Sequence, residues 1–363
     1  MNKPAAKPSL PRAKKALFLA VWALVPPLLL ILAVEGGGRL YMHFKYGVPG
    51  KSYGLWRADA QLGAIHAEHG YNRIAVTNNM GFRNTEDVQT TRPPGSYRII
   101  AYGGSTTFSY NLNNDETWPQ QLENLLRAKH NAHDQVLNAG AIMWSVSHEL
   151  ARARRDLPVL KPDYVILYTG VNEEENARRL KQQGVDLAAA VREGRYGLFA
   201  TNYDQDNWFI RNTMIGRYLN QRAADAADAV ARDSVRNGRT VIDTTTDPVA
   251  LAHFQVTLRA FIALIRQNGA IPIYVILAGL PELAHNARLL KYPRAGAAIA
   301  RETGVQVLDA QTIVDGYGGH RNDLFFRSGH HWSAMGAKKL AAFIYENAFA
   351  VAASRSGAVA TPR

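Results

Sequence analysis

A chain of 363 residues with 47% hydrophobic content can form one large domain, or a domain with an insertion. It contains no cysteine, which excludes disulfides, thiol nucleophiles and cysteine metal sites without fixing the compartment. The net charge of +12 is partly local to the amino-terminus. The other basic residues are scattered, with Arg152, Arg154 and Arg155 expected on a solvated helix face, so nucleic acid is not an expected partner.

Lys3, Lys7, Arg12, Lys14 and Lys15 precede an uncharged apolar run from Ala16 to Val34. At about 1.5 Å per residue that run spans roughly 28 Å, long enough to cross a bilayer. Pro26-Pro27 is expected to kink it, which membrane helices tolerate. The rival reading, a cleaved signal peptide, needs a shorter apolar core and a small-x-small exit, for which Leu32-Ala33-Val34-Glu35 is a weak candidate. The expectation is therefore a basic cytoplasmic tail (1–15) and an uncleaved transmembrane signal anchor (16–34). The remainder then lies on the extracytoplasmic, periplasmic side of a bacterial inner membrane.

Residues 35–96 are expected to be a juxtamembrane linker and lead-in, rich at first in Gly and aromatics (Gly36-Gly37-Gly38, Tyr41, Phe44, Tyr46). Asn78-Asn79-Met80-Gly81 has turn composition, and Arg92-Pro93-Pro94-Gly95 that of a linker. The main domain is expected over 97–350, with a flexible tail at 351–363. Within it, Ile99–Tyr102, Val136–Asn138, Tyr164–Thr169, Ile271–Ala278 and Val305–Leu308 are apolar and β-branched, as buried parallel strands are. Helical spacing falls between them, at 115–129, 146–157, 248–268 and 286–302. This alternation predicts a three-layer α/β/α sandwich on a five-stranded parallel sheet. The gap from the third strand to the fourth is too long for one crossover, so an insertion is expected at about 175–247. Within the insertion, Ala223–Arg236 is helical by pattern, and Thr244-Thr245-Thr246-Asp247-Pro248 has the composition of a helix start.

The first expected strand runs into Gly103-Gly104-Ser105. Gly and Ser are ordinary turn residues. Yet a serine at the carboxyl end of a strand, with backbone N–H groups beside it, also stands where open α/β sheets bind ligands. Three further segments follow in order: Asn138-Ala139-Gly140, Gly170-Val171-Asn172, and His330-His331-Trp332 leading to Gly336.

Ser, Gly, Asn and His in that order resemble the SGNH hydrolases, also called GDSL-like esterases and acyl hydrolases, over roughly residues 79–345. The resemblance implies a serine ester hydrolase acting through an acyl-Ser105 intermediate, without metal or organic cofactor. It implies that the N–H groups of Ser105 and Gly140 and the Asn172 amide form an oxyanion hole. His331, five residues before Gly336, would be the general base, with His330 a neighbouring pocket or surface residue. Trp332 is a second candidate for the pocket, with core packing its default. Glu173, Glu174 and Glu175 are expected to form a solvated loop edge. The sequence departs from the family in two places. Gly104 replaces the Asp of Gly-Asp-Ser, and Ser328 stands where an Asp usually orients the base. Three arrangements are open there: a Ser–His dyad oriented by a backbone carbonyl, Asp323 reaching in from upstream, or an impaired site. The expected partners are the membrane, through the first helix, and an acylated glycan, lipid or other ester. An O-acyltransferase acting on an envelope glycan, and a non-catalytic glycan-binding or assembly factor, are the alternatives.

Overall fold

The computed structural model describes residues 11–46, 52–53, 55–71, 74–193, 196, 213, 215–216, 219, 247–280, 287–326 and 329–350. The chain divides into two units, Met1–Tyr53 with Asp206–Arg232, and Gly54–Gln205 with Asp233–Arg363. The expected helix at 223–236, the flexible tail and Ser328 lie outside the described residues.

In the first unit, α1 (Arg12–Tyr46) is one helix containing Pro26 and Pro27. Its apolar side chains are exposed, and it is long and apolar enough to cross a membrane. It continues well beyond Val34, through the three glycines expected to begin the linker. A Glu35–Arg39 ion pair of 2.7 Å spans that turn and offsets part of the glycines' cost in a helix.

The second unit begins with a hairpin, β1 (Trp56–Asp59) against β2 (Gly63–His66). The sequence showed no period there, since each strand is only four residues long. The sheet follows: β3 (Arg98–Gly103), β4 (Gln135–Asn138), β5 (Tyr164–Tyr168), β6 (Ile271–Ile276) and β7 (Gln306–Asp309). All pairings are parallel, in the order β4-β3-β5-β6-β7. The connecting helices are α2 (Ser105–Phe108), α3 (Trp118–Lys129), α4 (Val146–Leu160), α5 (Glu173–Gln182) and α6 (Leu187–Arg192). After them come α7 (Pro248–Gln267), α8 (Ala287–Glu302), α9 (Gln311–Asp315) and α10 (Ala334–Ile344).

Alternation along the strands separates two cores. Ile100, Tyr102, Val165, Leu167 and Tyr274 meet α4, α7 and α8 on one face. Ile99, Ala101, Ile166, Ile273 and Val275 meet α3 and α10 on the other. Helix α7 is also apolar enough to pass for a membrane span, but Phe254, Leu258, Phe261 and Ile265 are buried in the first of these cores. It starts where the sequence predicts: Asp247 Oδ1 accepts from Val249 N (2.8 Å) and Ala250 N (3.1 Å), and Pro248 occupies the first turn.

Strand β3 has β4 on one side and β5 on the other, so the connections leaving β3 and β4 diverge. This is the switch point at which open α/β sheets place their ligands, at the carboxyl ends of the strands.

Two histidines of this unit are buried and neutral. Burial pushes His66 and His148 each down to about 3. Each binds its proton more readily in the unfolded chain, so each withdraws stability as pH falls from about 6.5 towards 3, by roughly 1.4 kcal/mol per pH unit. Buried acids titrate in the opposite sense, so the difference between variants isolates the effect. Urea unfolding of His66→Leu from pH 7 to pH 5 is expected to show a mean stability slope shallower than wild type by about 1 kcal/mol per unit, since the unfolded histidine is only partly protonated at the upper end of that range. Equal slopes would contradict it.

Candidate active site

Three strand ends supply the site. Strand β3 ends at Gly103 and α2 begins at Ser105. Its short turn is held from below by Arg83, which is almost fully buried. The guanidinium donates to the carbonyls of Phe108, Ser109 (3.0 Å) and Leu112 and to Asn114 Oδ1 (3.2 Å), and lies 4.2 Å from the centre of the Phe108 ring. One cation thus satisfies the carbonyls that a one-turn helix leaves open. The neighbouring Asn84 accepts from Asn138 N (2.9 Å), and Arg83 N donates to Asn138 O (2.9 Å). The segment 82–84 therefore ties the end of β4 to the Ser105 turn.

Strand β4 ends at Asn138, and its turn brings Gly140 against α2 so closely that a Cβ there would collide with the backbone of Thr107 and Phe108. That contact requires glycine. The Gly140 N–H donates to Asn138 Oδ1 (3.0 Å).

Beyond β5, Asn172 begins α5, and its Nδ2 donates to the Trp144 carbonyl (2.7 Å). A Cβ on residue 104 would collide with the same nitrogen. In this chain the Asn172 amide fills the space a side chain at 104 would need. Gly104 is thus the counterpart of Asn172's position.

His331 arrives from the carboxyl end. The chain before it pairs with the chain around it: Phe326 N donates to His331 O (2.8 Å), Ser333 N to Leu324 O (2.9 Å), and Gly329 lies at φ 73°. Ser333 caps α10 by accepting from Gly336 N (3.2 Å). The result is a 2.8 Å hydrogen bond between His331 Nε2 and Ser105 Oγ. Burial, and His330 at a ring separation of 4.2 Å, push His331 down to about 3 and keep it neutral.

Ser105, Gly140, Asn172 and His331 are therefore brought together. Two further candidates lie apart from these four. Asp323 is exposed at the surface, and no hydrogen bond joins its carboxylate to His331; its backbone N–H donates to His320 O (2.8 Å) and its backbone oxygen accepts from Ser333 Oγ (2.5 Å). Trp332 is a core residue, 3% exposed, stacked on Phe325 with its Nε1 donating to Tyr168 OH (3.0 Å).

Glu173 is the larger surprise. It is fully buried, and its Oε1 accepts from Val146 N (2.8 Å). Glu149, also fully buried, accepts from Thr169 Oγ1 (2.9 Å). Burial pushes Glu173 up to about 7, and burial beside Glu173 raises Glu149 well above the carboxylate range. The two acids brace the first turn of α4 against the loop that carries Asn172. Glu149 could have been found from spacing, because it shares the inward face of α4 with Val146 and Ala153. Glu173 carried no such signal within its run of three acids. Among the described residues no group of three His, Asp or Glu side chains gathers as metal ligands would.

The sequence profile of the GDSL-like Lipase/Acylhydrolase family matches residues 101–339. No curated protein matches the chain. Similar solved structures include a lipase/acylhydrolase from Enterococcus faecalis, at 14% identity and TM-score 0.42, covering 69% of this chain and 94% of the other. An acetylxylan esterase from Geobacillus stearothermophilus gives 17% identity and TM-score 0.42, with coverage of 69% and 94%. A psychrotrophic esterase from Pseudoalteromonas sp. gives 13% and 0.41, with coverage of 69% and 96%.

Gly104→Ala tests the packing of the turn. The added methyl displaces the Asn172 amide from the Trp144 carbonyl, so the variant should be destabilised by about 1–2 kcal/mol in urea unfolding while staying folded by circular dichroism. Unchanged stability in the folded variant would contradict this geometry.

Proposed function

The chain belongs to the GDSL-like lipase/acylhydrolase family, and on that premise we propose that it is a serine ester hydrolase working through Ser105. The observation that carries the proposal is the 2.8 Å contact between Ser105 Oγ and His331 Nε2. It joins residues 226 positions apart, at the carboxyl ends of the strands.

A neutral imidazole with its proton on Nδ1 accepts the hydroxyl hydrogen as Ser105 Oγ attacks the ester carbonyl carbon. The carbonyl oxygen becomes an oxyanion. Its donors are the N–H of Ser105, the N–H of Gly140 and the second hydrogen of the Asn172 amide, the first being held by Trp144 O. The Gly140 N–H must leave Asn138 Oδ1 to take part. The tetrahedral intermediate collapses by breaking the bond to the alcohol oxygen, which leaves with the proton from His331. Water, deprotonated by the same histidine, then attacks acyl-Ser105 and releases the acid. An orienting carboxylate is not required for this sequence; its absence lowers rate and leaves the oxyanion donors in place.

We further infer that α1 is an uncleaved anchor and that the hydrolase unit faces the extracytoplasmic side. The basic residues before the apolar run support this orientation. The substrate would then be an acyl ester of an envelope glycan or lipid. The Ser105–His331 contact favours an enzyme over a binding scaffold.

Hydrolysis of p-nitrophenyl acetate by the full chain tests the reading. Ser105→Ala should be inactive, and Asn172→Ala should lose about 10²–10³-fold in kcat. The active form of His331 is neutral and its pKa is depressed, so kcat/KM should hold as pH falls through the ordinary histidine value of about 6.5 and decline only below it. Activity retained in Ser105→Ala would contradict the proposal.

A further inference from the structure

A cleft of about 620 Å³ opens between the β1–β2 turn, α4, α7 and Tyr196. Its volume is that of a small-molecule site, roughly 300–1,000 Å³. It is separate from the Ser105 site, whose four residues do not line it.

The walls are mainly apolar, from Leu62, Leu150, Ala151 and the Tyr196 ring. The polar groups at the cleft are largely engaged with one another. Ser147 Oγ is 2.9 Å from His253 Nε2, Thr257 Oγ1 is 3.4 Å from the same nitrogen, and His148 Nδ1 is 3.0 Å from Ser145 Oγ. Burial lowers both histidines, so neither brings a charge to the interior at neutral pH. Among the described residues the Tyr196 hydroxyl is buried with no hydrogen-bond partner. Such a lining has little to offer a polar ligand, whose desolvated groups would go unmatched, and much to offer a hydrocarbon chain.

Charge sits at the edge instead. Three arginines lie within one turn of α4. Arg152 is paired with Asp156 (2.9 Å) and Arg155 with Asp59 (2.6 Å). Arg154, which lines the cleft and is exposed, has no acidic partner among the described residues.

We propose that this cleft binds a single fatty acyl chain ended by an anionic group, with the chain along Leu62, Leu150, Ala151 and Tyr196 and the anion on Arg154. A free fatty carboxylate and an anionic lysophospholipid share that chemistry. The proposal stands apart from ester cleavage, because it needs neither Ser105 nor His331.

The test is photo-crosslinking on the full chain in phosphatidylcholine nanodiscs, with adducts mapped by peptide mass spectrometry. The probes are diazirine-bearing palmitate, diazirine-bearing lysophosphatidylglycerol and, as the neutral control, diazirine-bearing hexadecanol. At least one anionic probe should mark peptides spanning 147–154 or 253–257, and the stronger of the two identifies the source. Ala151→Trp, which fills the cleft, should weaken that mark about tenfold. Arg154→Glu, a surface change that spares folding, should weaken the anionic mark about fivefold and leave hexadecanol unchanged. Adducts confined to 12–46, equal marking by hexadecanol and the anionic probes, or an anionic mark indifferent to Arg154→Glu would each overturn the proposal.

Discussion

The pairing of β3 with β4 along one edge and with β5 along the other is the constraint from which the site follows. Parallel pairing sends all three chains out at the same end of the sheet, and the opposed crossovers make that end the switch point. Ile99 lies opposite both Val136 and Tyr164 in register, so the three exits are level. A slip of one residue along either edge would exchange the side chains facing the two cores and separate Ser105 from its neighbours. Two close approaches then set the fine geometry: Gly140 against the backbone of α2, and Gly104 against the Asn172 amide.

What holds this arrangement is buried polarity. Arg83 beneath the Ser105 turn and the Glu149–Glu173 pair behind Asn172 are all nearly or wholly excluded from solvent. Burying such groups is costly, so each must be offset by bonds it makes. Arg83 meets its cost with several carbonyls at once. Burial favours the neutral form of the two glutamates, so the pair can lie close without two adjacent negative charges. Each of these groups joins segments far apart in the chain, so local stability is spent on fixing one constellation.

The sheet was legible because five short β-branched runs alternated with helix-spaced segments, and all five strands form. The start of α7 was legible too, since Asp247-Pro248 combines an N-cap with a first-turn proline. Much of the rest depends on tertiary context. Glu173 looks like a solvated acid until α4 covers it. Trp332 keeps the core packing that is the default for its kind, but the partners that enclose it, Phe325 and Tyr168, are visible only in the fold. Asp323 was attractive by its nearness in sequence to His331, but its turn leaves the carboxylate in solvent. The four candidate residues were singled out by their order along the chain, whereas the contacts of Arg83 beneath them could be seen only once α2 had a position.

The central claim is that His331 activates Ser105. Intact-mass measurement of the full chain after brief treatment with a fluorophosphonate tests it most directly, with Ser105→Ala and His331→Ala alongside. The account predicts one adduct on wild type, none on Ser105→Ala and slow formation on His331→Ala. A folded wild type that takes up no label, or one labelled equally well without Ser105, would contradict it.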